Sequence, residues 1–263
     1  MTPFAFHRPV SVASAVQLRS AQPEACYLAG GQSLLPAMKL GLATPGDLID
    51  LSLLPGATGI GVEAHDLRIG AMTPHAAVAA SAQVRQRLPA LAALAEGIGD
   101  PAVRTRGTLG GSLAQSDPAA CYPAAVLGLG ATVHTDRRSI AADDFFKGLY
   151  ETALQPGELI TALSFPIPKR AAYVKFKQPA SRFALVGVFV SQGPQGTRVA
   201  VTGAGPCALR VAALEAALAK DWSAKAIEGI AVPAEGLNTD LHASAAYRAH
   251  LIGVLARRAV AAA

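Results

Sequence analysis

Cysteine is scarce in this chain, and that scarcity limits the kinds of site it can form. There are three widely separated cysteines, Cys26, Cys121 and Cys207. An odd number of distant cysteines forms neither a disulfide framework nor a Cys-x-x-Cys metal set. His75, His134 and His242 also lack metal-ligand spacing with any Cys, Asp or Glu. The sequence therefore predicts no metal site and no iron–sulfur cluster in this chain, and structural roles for these histidines.

Aromatic residues are also few, at 5% of the chain. Proteins that bind nucleic acids usually combine a stripe of basic residues with stacking aromatics. Here the net charge of +5 comes from scattered Lys and Arg. The charge therefore indicates solubility and some attraction for an acidic partner, and it argues against nucleic-acid binding.

Long apolar runs are missing as well. No unbroken run approaches the roughly 20 residues that a membrane helix needs. Residues 1–7 show no basic patch, apolar run or small-residue cleavage site of a secretory signal. We therefore expect a cytoplasmic protein without a membrane span, and its 263 residues are enough for two domains.

What the chain does have is two short segments that combine glycine with hydroxyl residues. The first glycine segment, Ala29 to Ser33, follows the apolar run 25–28. The second glycine segment, Arg104 to Ser112, contains three glycines within five residues. Because glycine has no Cβ, the N–H groups of such segments can approach an anion such as a pyrophosphate. Either segment alone is consistent with a tight turn, but two in one small domain favour a ligand site.

Apolar periodicity predicts short strands and helices around these segments, with Ser11, Ser33 and Asp117 as helix caps. The N–H groups of the helix after Ser33 are expected to point back at the first glycine segment. The predicted helices are 11–18, 33–40, 74–80, 88–98, 119–128, 209–220 and 244–262. The predicted strands are 2–7, 25–28, 47–51, 67–70, 131–135, 159–165, 172–177, 184–192 and 197–202.

Helices and short strands alternate irregularly, which predicts an α+β fold rather than a doubly wound sheet. The segment Pro166 to Arg170 breaks the composition and is typical of a linker. We therefore expect a larger domain over 1–168 and a smaller α+β domain over 169–263. The three predicted strands of the smaller domain are expected to form an antiparallel sheet.

Residues 199–208 imitate the Gly-x-Gly-x-x-Ala fingerprint of dinucleotide-binding proteins, with Asp221 further along the chain. However, Pro206 removes an N–H group from the turn, and no strand clearly follows the next helix at the required distance. A structural turn is therefore the preferred interpretation of this segment.

In their order and spacing, the two glycine segments resemble a known family. Residues 29–39 are similar to the first flavin loop of the FAD-binding medium subunit of the molybdenum hydroxylases, the carbon monoxide dehydrogenase and xanthine dehydrogenase family. Residues 104–112, followed by Asp117-Pro118-Ala119, are similar to its second flavin loop. The likeness covers nearly the whole chain, since 201–218 and 243–248 resemble the family's carboxy-terminal domain. It implies a two-part FAD-binding domain of the vanillyl-alcohol-oxidase/p-cresol-methylhydroxylase type over 1–168.

The resemblance also implies a set of FAD-binding residues and no catalytic residue. It places the pyrophosphate between the two glycine segments, with Ser112 and Asp117 on ribitol or ribose hydroxyls. Ile160 and Lys177 occupy positions near the flavin ring, and many members carry His where Gln115 stands. The implied cofactor-binding residues are Ala29, Gly30, Gly31, Gln32, Ser33, Leu34, Gly107, Thr108, Gly110, Gly111, Ser112, Gln115, Asp117, Ile160 and Lys177.

The function implied by the resemblance is that of an oxidoreductase subunit that carries electrons. Electrons would pass from a molybdenum cofactor on a large subunit, through 2Fe-2S clusters on a small subunit and then FAD, to an external acceptor. The assembly would be a dimer of heterotrimers. Two alternatives remain open: a stand-alone FAD-dependent oxidoreductase acting on a small substrate, and a non-catalytic assembly module without cofactor.

Overall fold

The computed structural model describes residues 2–263, which form an α+β fold. The strands are β1 (Ala5–His7), β2 (Cys26–Leu28), β3 (Asp47–Asp50), β4 (Ile60–Glu63), β5 (Asp66–Gly70), β6 (Thr132–Thr135), β7 (Ser139–Ala141), β8 (Phe146–Gly148), β9 (Glu151–Thr152), β10 (Ile160–Pro166), β11 (Arg170–Lys177), β12 (Ala184–Gly193), β13 (Gly196–Thr202) and β14 (Leu209–Arg210). The helices are α1 (Val12–Ala21), α2 (Leu34–Lys39), α3 (His75–Ala80), α4 (Ala82–Arg87), α5 (Pro89–Glu96), α6 (Pro101–Arg106), α7 (Leu109–Gln115), α8 (Tyr122–Leu129), α9 (Ala142–Phe145), α10 (Ala212–Lys220) and α11 (Ala245–Ala262), and a 3₁₀ turn spans Lys225–Ile227.

The amino-terminal strands form a parallel sheet in the order β1-β3-β2. Helix α1 packs beside this sheet, and its predicted cap is confirmed because the Ser11 hydroxyl accepts a hydrogen bond from the Ser14 N–H. Ala15, Ile49 and Leu51 are buried in the small core between them. Since β2 ends at Leu28, the first glycine segment begins directly after this strand.

An antiparallel sheet in the order β4-β5-β10-β6-β7 lies next along the chain. Helices α3, α5 and α8 contribute to the main apolar core beside it, which includes Leu91, Leu109 and Tyr122. The Ala71 N–H donates to the Thr161 carbonyl at 2.9 Å, which continues the β5–β10 pairing. The start of β10 is thereby held beside the residues that follow β5.

The carboxy-terminal strands form an antiparallel sheet in the order β11-β12-β13-β14, and α10 and α11 contribute to its core. The three predicted strands are confirmed, but the sheet has a fourth strand. This strand, Leu209–Arg210, falls where the sequence predicts the start of a helix, which in fact begins at Ala212. Two residues are too few to show an alternating pattern. Among residues 2–263, no helix is both long enough and apolar enough to cross a membrane.

Helix α8 joins the carboxy-terminal sheet to the rest of the molecule. All eight of its residues are buried, and Phe189 of β12 packs so closely that a Cβ on Gly128 would lie 2.6 Å from its ring. The buried Arg198 of β13 donates from Nε to the Leu127 carbonyl at 2.7 Å and also pairs with Asp143. The sheet and the preceding part of the chain therefore share one apolar core.

The second glycine segment, which resembles a flavin loop in sequence, is mostly helical in the structure. Helix α6 ends within the segment, at Arg106, a short bend follows at Gly107 and Thr108, and α7 begins at Leu109. The Thr108 hydroxyl caps α7 by accepting a hydrogen bond from the Gly111 N–H at 3.1 Å. The two adjacent glycines therefore lie in the first turn of a helix.

The helix predicted over 119–128 is also shorter than expected. It begins at Tyr122, and Asp117 caps a turn instead, by accepting a hydrogen bond from the Ala119 N–H at 2.8 Å. Pro123 explains the difference, because proline has no N–H and its ring clashes with the carbonyl four residues earlier. Proline is tolerated only in the first turn, so the helix cannot extend back to Ala119.

Candidate cofactor-binding site

One cavity of about 620 Å³ is lined by both glycine segments. Fourteen of the fifteen predicted cofactor-binding residues line it. They are Ala29, Gly30, Gly31, Gln32, Ser33, Leu34, Gly107, Thr108, Gly110, Gly111, Ser112, Gln115, Asp117 and Ile160. Segments that are about 75 residues apart in sequence thus share one cavity, as the hypothesis of a common ligand requires.

Lys177 is the predicted residue that does not line the cavity, and its side chain is exposed. Lys175, on the same strand, lines it instead. The β11–β12 pairing explains the difference, because its register shifts between Phe176 and Lys177. A shift of this kind changes the direction of the side chains beyond it, and the sequence alone does not show it.

The first glycine segment leaves its backbone donors available. Within the described part of the chain, the N–H groups of Gly30, Gly31, Gln32 and Ser33 donate to no protein acceptor. Gly31 adopts a φ of +72°, which glycine alone adopts at little cost. Ser33 is the N-cap residue of α2, as predicted, but its side chain makes no capping hydrogen bond. This segment therefore offers both N–H groups and a hydroxyl to a ligand.

The second glycine segment uses most of its backbone donors within the protein, contrary to the prediction that its N–H groups are free. Gly107 donates to the Val103 carbonyl at 2.7 Å, and Gly110 donates to the Ala71 carbonyl at 2.7 Å. The Leu109 N–H is likewise bonded to the Thr73 carbonyl, at 3.1 Å. This segment therefore mainly shapes the wall of the cavity and leaves the Thr108 N–H without an acceptor among the described residues, while the first segment presents four unbonded N–H groups.

Several glycines of the site are explained by protein packing rather than by the approach of a ligand. A Cβ on Gly30 would overlap the Arg106 carbonyl oxygen, so the backbones of the two segments touch at this point. A Cβ on Gly110 would lie 2.6 Å from the Ala71 Cβ. The sequence predicts that these glycines allow a ligand to approach. In the structure, Gly30 and Gly110 are instead required because other parts of the chain pack directly against them.

An ion pair between Glu158 and Arg138 fixes the chain just before β10, where Ile160 lines the cavity. The buried Glu158 carboxylate accepts from Arg138 Nε at 2.9 Å, from Arg138 Nη2 at 3.0 Å and from the Gln155 N–H at 2.7 Å. The hydrogen bonds from Arg138, together with those from Gln155 and Thr135, lower the pKa of Glu158 to about 2 despite burial. Glu158 is therefore ionised at neutral pH and holds the chain just before Ile160.

Asp117 is a carboxylate in the cavity with little support from the protein. Among the described residues its side chain accepts one hydrogen bond, from the Ala119 N–H. Burial raises the pKa of Asp117, and that hydrogen bond opposes the rise. A carboxylate with unused acceptor capacity in a half-buried site is suited to ligand hydroxyl groups.

Lys175 was not predicted as a site residue, yet it ties together three parts of the cavity wall. Its Nζ donates to the Gly97 carbonyl at 2.8 Å, to the Arg182 carbonyl at 2.9 Å and to Cys121 Sγ at 3.3 Å. An ammonium group has three N–H donors, so all of them are used within the protein. Lys175 therefore positions the wall and leaves no donor for a ligand.

His75 is another cavity residue that the sequence did not reveal. It is 5% exposed, lines the cavity and lies directly beside Gly107. The sequence around His75 predicts only that a helix begins there. The structure confirms this helix, since α3 begins at His75. The one available signal was a histidine at the beginning of an apolar helix, and that signal is not specific for a site.

The residues present fit FAD. Unbonded N–H groups suit a diphosphate, Asp117 and Ser112 suit ribitol or ribose hydroxyls, and apolar lining such as Leu34, Met72 and Ile160 suits an aromatic ring system. The cavity volume is also within the usual range of roughly 300–1,000 Å³ for ligand pockets. No metal is needed for this fit, and residues 2–263 contain no group of three His, Cys, Asp or Glu that could hold one.

Comparisons with known proteins identify the family of this chain. Residues 2–168 match the family described as the FAD binding domain in molybdopterin dehydrogenase. The chain is 37% identical to the carbon monoxide dehydrogenase medium chain of Afipia carboxidovorans, over 98% of this chain and 95% of that one. It is 36% identical to the nicotine 6-hydroxylase medium subunit of Paenarthrobacter nicotinovorans, over 96% and 94% of the two chains.

The fold is similarly close to that of a solved structure. The chain superposes on quinoline 2-oxidoreductase from Pseudomonas putida 86 with a TM-score of 0.89 and 31% identity, covering 100% of this chain and 97% of that one. The resemblance inferred from the glycine segments is therefore confirmed. This chain belongs to the family of FAD-binding domains of molybdopterin dehydrogenases, and it is an FAD-binding medium subunit of an oxidoreductase of the molybdenum hydroxylase type.

Proposed function

We propose that the chain is the electron-transfer subunit of such an enzyme, taking electrons from iron–sulfur clusters of a partner subunit and delivering them to an external acceptor. Bound FAD supplies the redox chemistry, so the chain itself needs no acid–base pair or nucleophile. The observation that carries this proposal is the cavity lined by both glycine segments. The role of the protein is to hold the cofactor, orient it and shield it.

The fourteen predicted residues that line the cavity are proposed as the FAD-binding set. The N–H groups of Gly30 to Ser33 would hold the diphosphate, since they have no acceptor in the described protein. Ser112 and Asp117 would bind hydroxyl groups, and Ile160 would contact the ring system. Lys177 is left out because it does not line the cavity.

The domain division at residue 168 is also a proposal. The family match ends at this residue, and β11 begins at Arg170. However, Lys175, Ser181, Arg182 and Phe183 from the second part also line the cavity. We therefore propose a larger FAD-binding domain over 1–168 whose site is completed by the smaller domain over 169–263.

The proposed partners are a small subunit with 2Fe-2S clusters and a large subunit with the molybdenum cofactor, in a dimer of heterotrimers. The similar chains from Afipia carboxidovorans and Paenarthrobacter nicotinovorans are named as a medium chain and a medium subunit, which supports an assembly of several chains. Affinity purification of the native chain, followed by mass spectrometry and metal analysis, tests this proposal. Recovery of the chain alone, without iron or molybdenum, would contradict it.

A purified full-length chain tests the cofactor and separates the alternatives. We expect a flavin spectrum and release of about one FAD per chain on denaturation, with no turnover of a small substrate by the chain alone. Substrate should reduce the flavin only when the partner subunits are present. Turnover by the isolated chain would favour a stand-alone oxidoreductase, and a folded chain that takes up no FAD would favour an assembly module.

A further inference from the structure

His75 is held against the second glycine segment but is not fully bonded by the protein. Its backbone N–H donates to the Gly107 carbonyl at 2.9 Å. The ring lies so close to this turn that a Cβ on Gly107 would be 2.6 Å from His75 Nε2. The side chain is therefore placed where Gly107 meets the backbone of Gly30, in the wall that both glycine segments share.

The Nδ1 atom of His75 is buried and has no hydrogen-bond partner among residues 2–263. Buried polar atoms are almost always bonded, because an unbonded one is costly. His134 provides a contrast, since its Nδ1 lies 2.9 Å from Ser139 Oγ and its Nε2 lies 2.8 Å from Ser164 Oγ. The fold thus bonds both nitrogens of one histidine and leaves the other histidine incompletely bonded beside a cavity.

Neighbouring groups do not provide the missing partner. The ring of Tyr122 lies 5.3 Å from that of His75, centroid to centroid, but its buried hydroxyl is also unbonded in the described chain. Burial, and then the charge of Arg104, lower the pKa of His75 to about 4. The ring is therefore neutral at physiological pH, with one N–H donor and one acceptor nitrogen.

We propose that His75 is a further FAD-binding residue, whose neutral ring donates a hydrogen bond to the cofactor diphosphate at the junction of the two glycine segments. This inference rests on the binding of FAD in the cavity. The N–H groups of Gly107, Gly110 and Gly111 are already used within the protein. Beside the second segment, His75 would therefore add a side-chain donor to the Thr108 N–H, which has no acceptor among residues 2–263.

The test uses the full-length chain without FAD, titrated separately with FAD and with ADP, which carries a diphosphate but no flavin. His75→Phe should weaken both ligands by about tenfold to a hundredfold, the usual value of a hydrogen bond to a charged group. The melting temperature of the FAD-free protein should stay the same or rise, because the change removes an unbonded polar atom. His134→Phe is the matched control, and it should lower the melting temperature while leaving both affinities unchanged.

Two further variants separate hydrogen bonding from ring shape. His75→Asn keeps a polar atom near the position of Nδ1, and His75→Gln keeps one near Nε2. One of them should recover most of the affinity lost in His75→Phe, which also identifies the nitrogen that donates. Equal losses in all three variants would overturn the proposal.

Other outcomes would also overturn it. FAD and ADP affinities within about twofold of wild type in His75→Phe would show that no such hydrogen bond exists. Weaker FAD binding with unchanged ADP binding would place the contact away from the diphosphate. A lower melting temperature of the FAD-free His75→Phe protein, with unchanged affinities, would show a purely structural role. Failure of the wild-type chain to bind FAD would instead refute the proposed function itself, and this inference with it.

Discussion

Gly30 and Gly111 line the same cavity but meet different atoms. A Cβ on Gly30 would overlap a backbone oxygen of Arg106, which cannot move without separating the two glycine segments. A Cβ on Gly111 would instead lie 2.8 Å from Thr108 Oγ1 and 3.3 Å from the Ala29 Cβ. Because a side-chain hydroxyl can rotate, the second contact is easier to relieve. The two positions should therefore differ in their tolerance of alanine.

Gly30→Ala is expected to abolish stable FAD binding, because the added methyl group forces the two segments apart. It should also lower the free energy of unfolding by about 1–3 kcal/mol, the usual cost of overpacking. FAD content after purification and urea unfolding measure the two effects. Gly61→Ala is the control, since a Cβ there meets no atom within 4 Å. Wild-type FAD content in Gly30→Ala would show that the contact between the segments is not required.

From the lowered pKa of Glu158, we expect the free energy of unfolding to depend on pH. The pKa of Glu158 is lowered in the folded protein to about 2 by hydrogen bonds from Arg138 and its other partners, whereas an unfolded chain has a glutamate pKa of about 4.3. A lowered pKa contributes stability that is fully present above the unfolded value and is lost as the pH falls towards the folded value. The contribution should therefore be complete at pH 7 and decrease below about pH 4.3.

Glu158→Gln measures this contribution. At pH 7 we expect the variant to be less stable by about 1 kcal/mol, a modest value because Arg138 is partly exposed and water screens the pair. The difference from wild type should shrink as the pH falls from about 4.3 towards about 2. Urea unfolding across this pH range provides the measurement. A difference that stays constant with pH would mean that the ionisation of Glu158 does not stabilise the fold.

At the scale of elements, Lys175 holds the β11–β12 turn, residues 178–183, against the cavity. The Nζ of Lys175 bonds the carbonyls of Gly97 and Arg182, and Arg182 Nη1 donates to the Gly99 carbonyl at 3.3 Å. Arg182 itself adopts a φ of +62°, which is unfavourable for a residue with a side chain. The turn therefore depends on these hydrogen bonds for its position.

Lys175→Met should release this turn while keeping the apolar length of the side chain. We expect faster trypsin cleavage after Arg182, measured by mass spectrometry of the FAD-free protein over time. Lys177→Met is the matched control, because it removes one exposed lysine from the same strand and also one trypsin site. Equal cleavage rates after Arg182 in the two variants would show that Lys175 does not hold the turn.

The elements also show what the sequence could predict. Ser11 and Ser244 were predicted to begin α1 and α11, and both caps are present, because each hydroxyl accepts an N–H three residues later. The position of α7 was missed because Gly110 and Gly111 are poor helix formers. The α7 start is held by contacts with distant residues, such as the Gly110 N–H bond to Ala71, and local patterns do not reveal such contacts.

The site was predictable to a similar degree, and for the same reason. The glycine segments were visible as local composition, and their resemblance to the flavin loops of a known family named fourteen of the residues that line the cavity. The choice between Lys175 and Lys177 depends on a register shift between two strands, and the role of His75 depends on packing against Gly107. Both are tertiary features that single-sequence patterns do not encode.

At the scale of the whole molecule, the two predicted domains are closely joined. The Pro118 carbonyl accepts from the Gly203 N–H at 2.7 Å and from Thr202 Oγ1 at 2.8 Å, and the Ala119 carbonyl accepts from the Ala184 N–H at 3.3 Å. These contacts lie directly after Asp117, which lines the cavity. The carboxy-terminal sheet therefore supports the chain that follows the second glycine segment, as well as covering α8.

A chain truncated to residues 1–168 should consequently fold poorly and bind no FAD. Removal of β12 and β13 would expose α8, including the face of Gly128 that packs on Phe189. It would also leave the Pro118 carbonyl without its partners and remove the Arg198 hydrogen bond to the Leu127 carbonyl. Circular dichroism and flavin binding test the fragment, and co-expression with residues 169–263 serves as the control that should restore both. The full-length chain should unfold in a single transition, with flavin release and loss of helix coinciding. A fragment 1–168 that binds FAD as tightly as the full-length chain would show that the shared core and the residues from β11 to β12 are dispensable for the site.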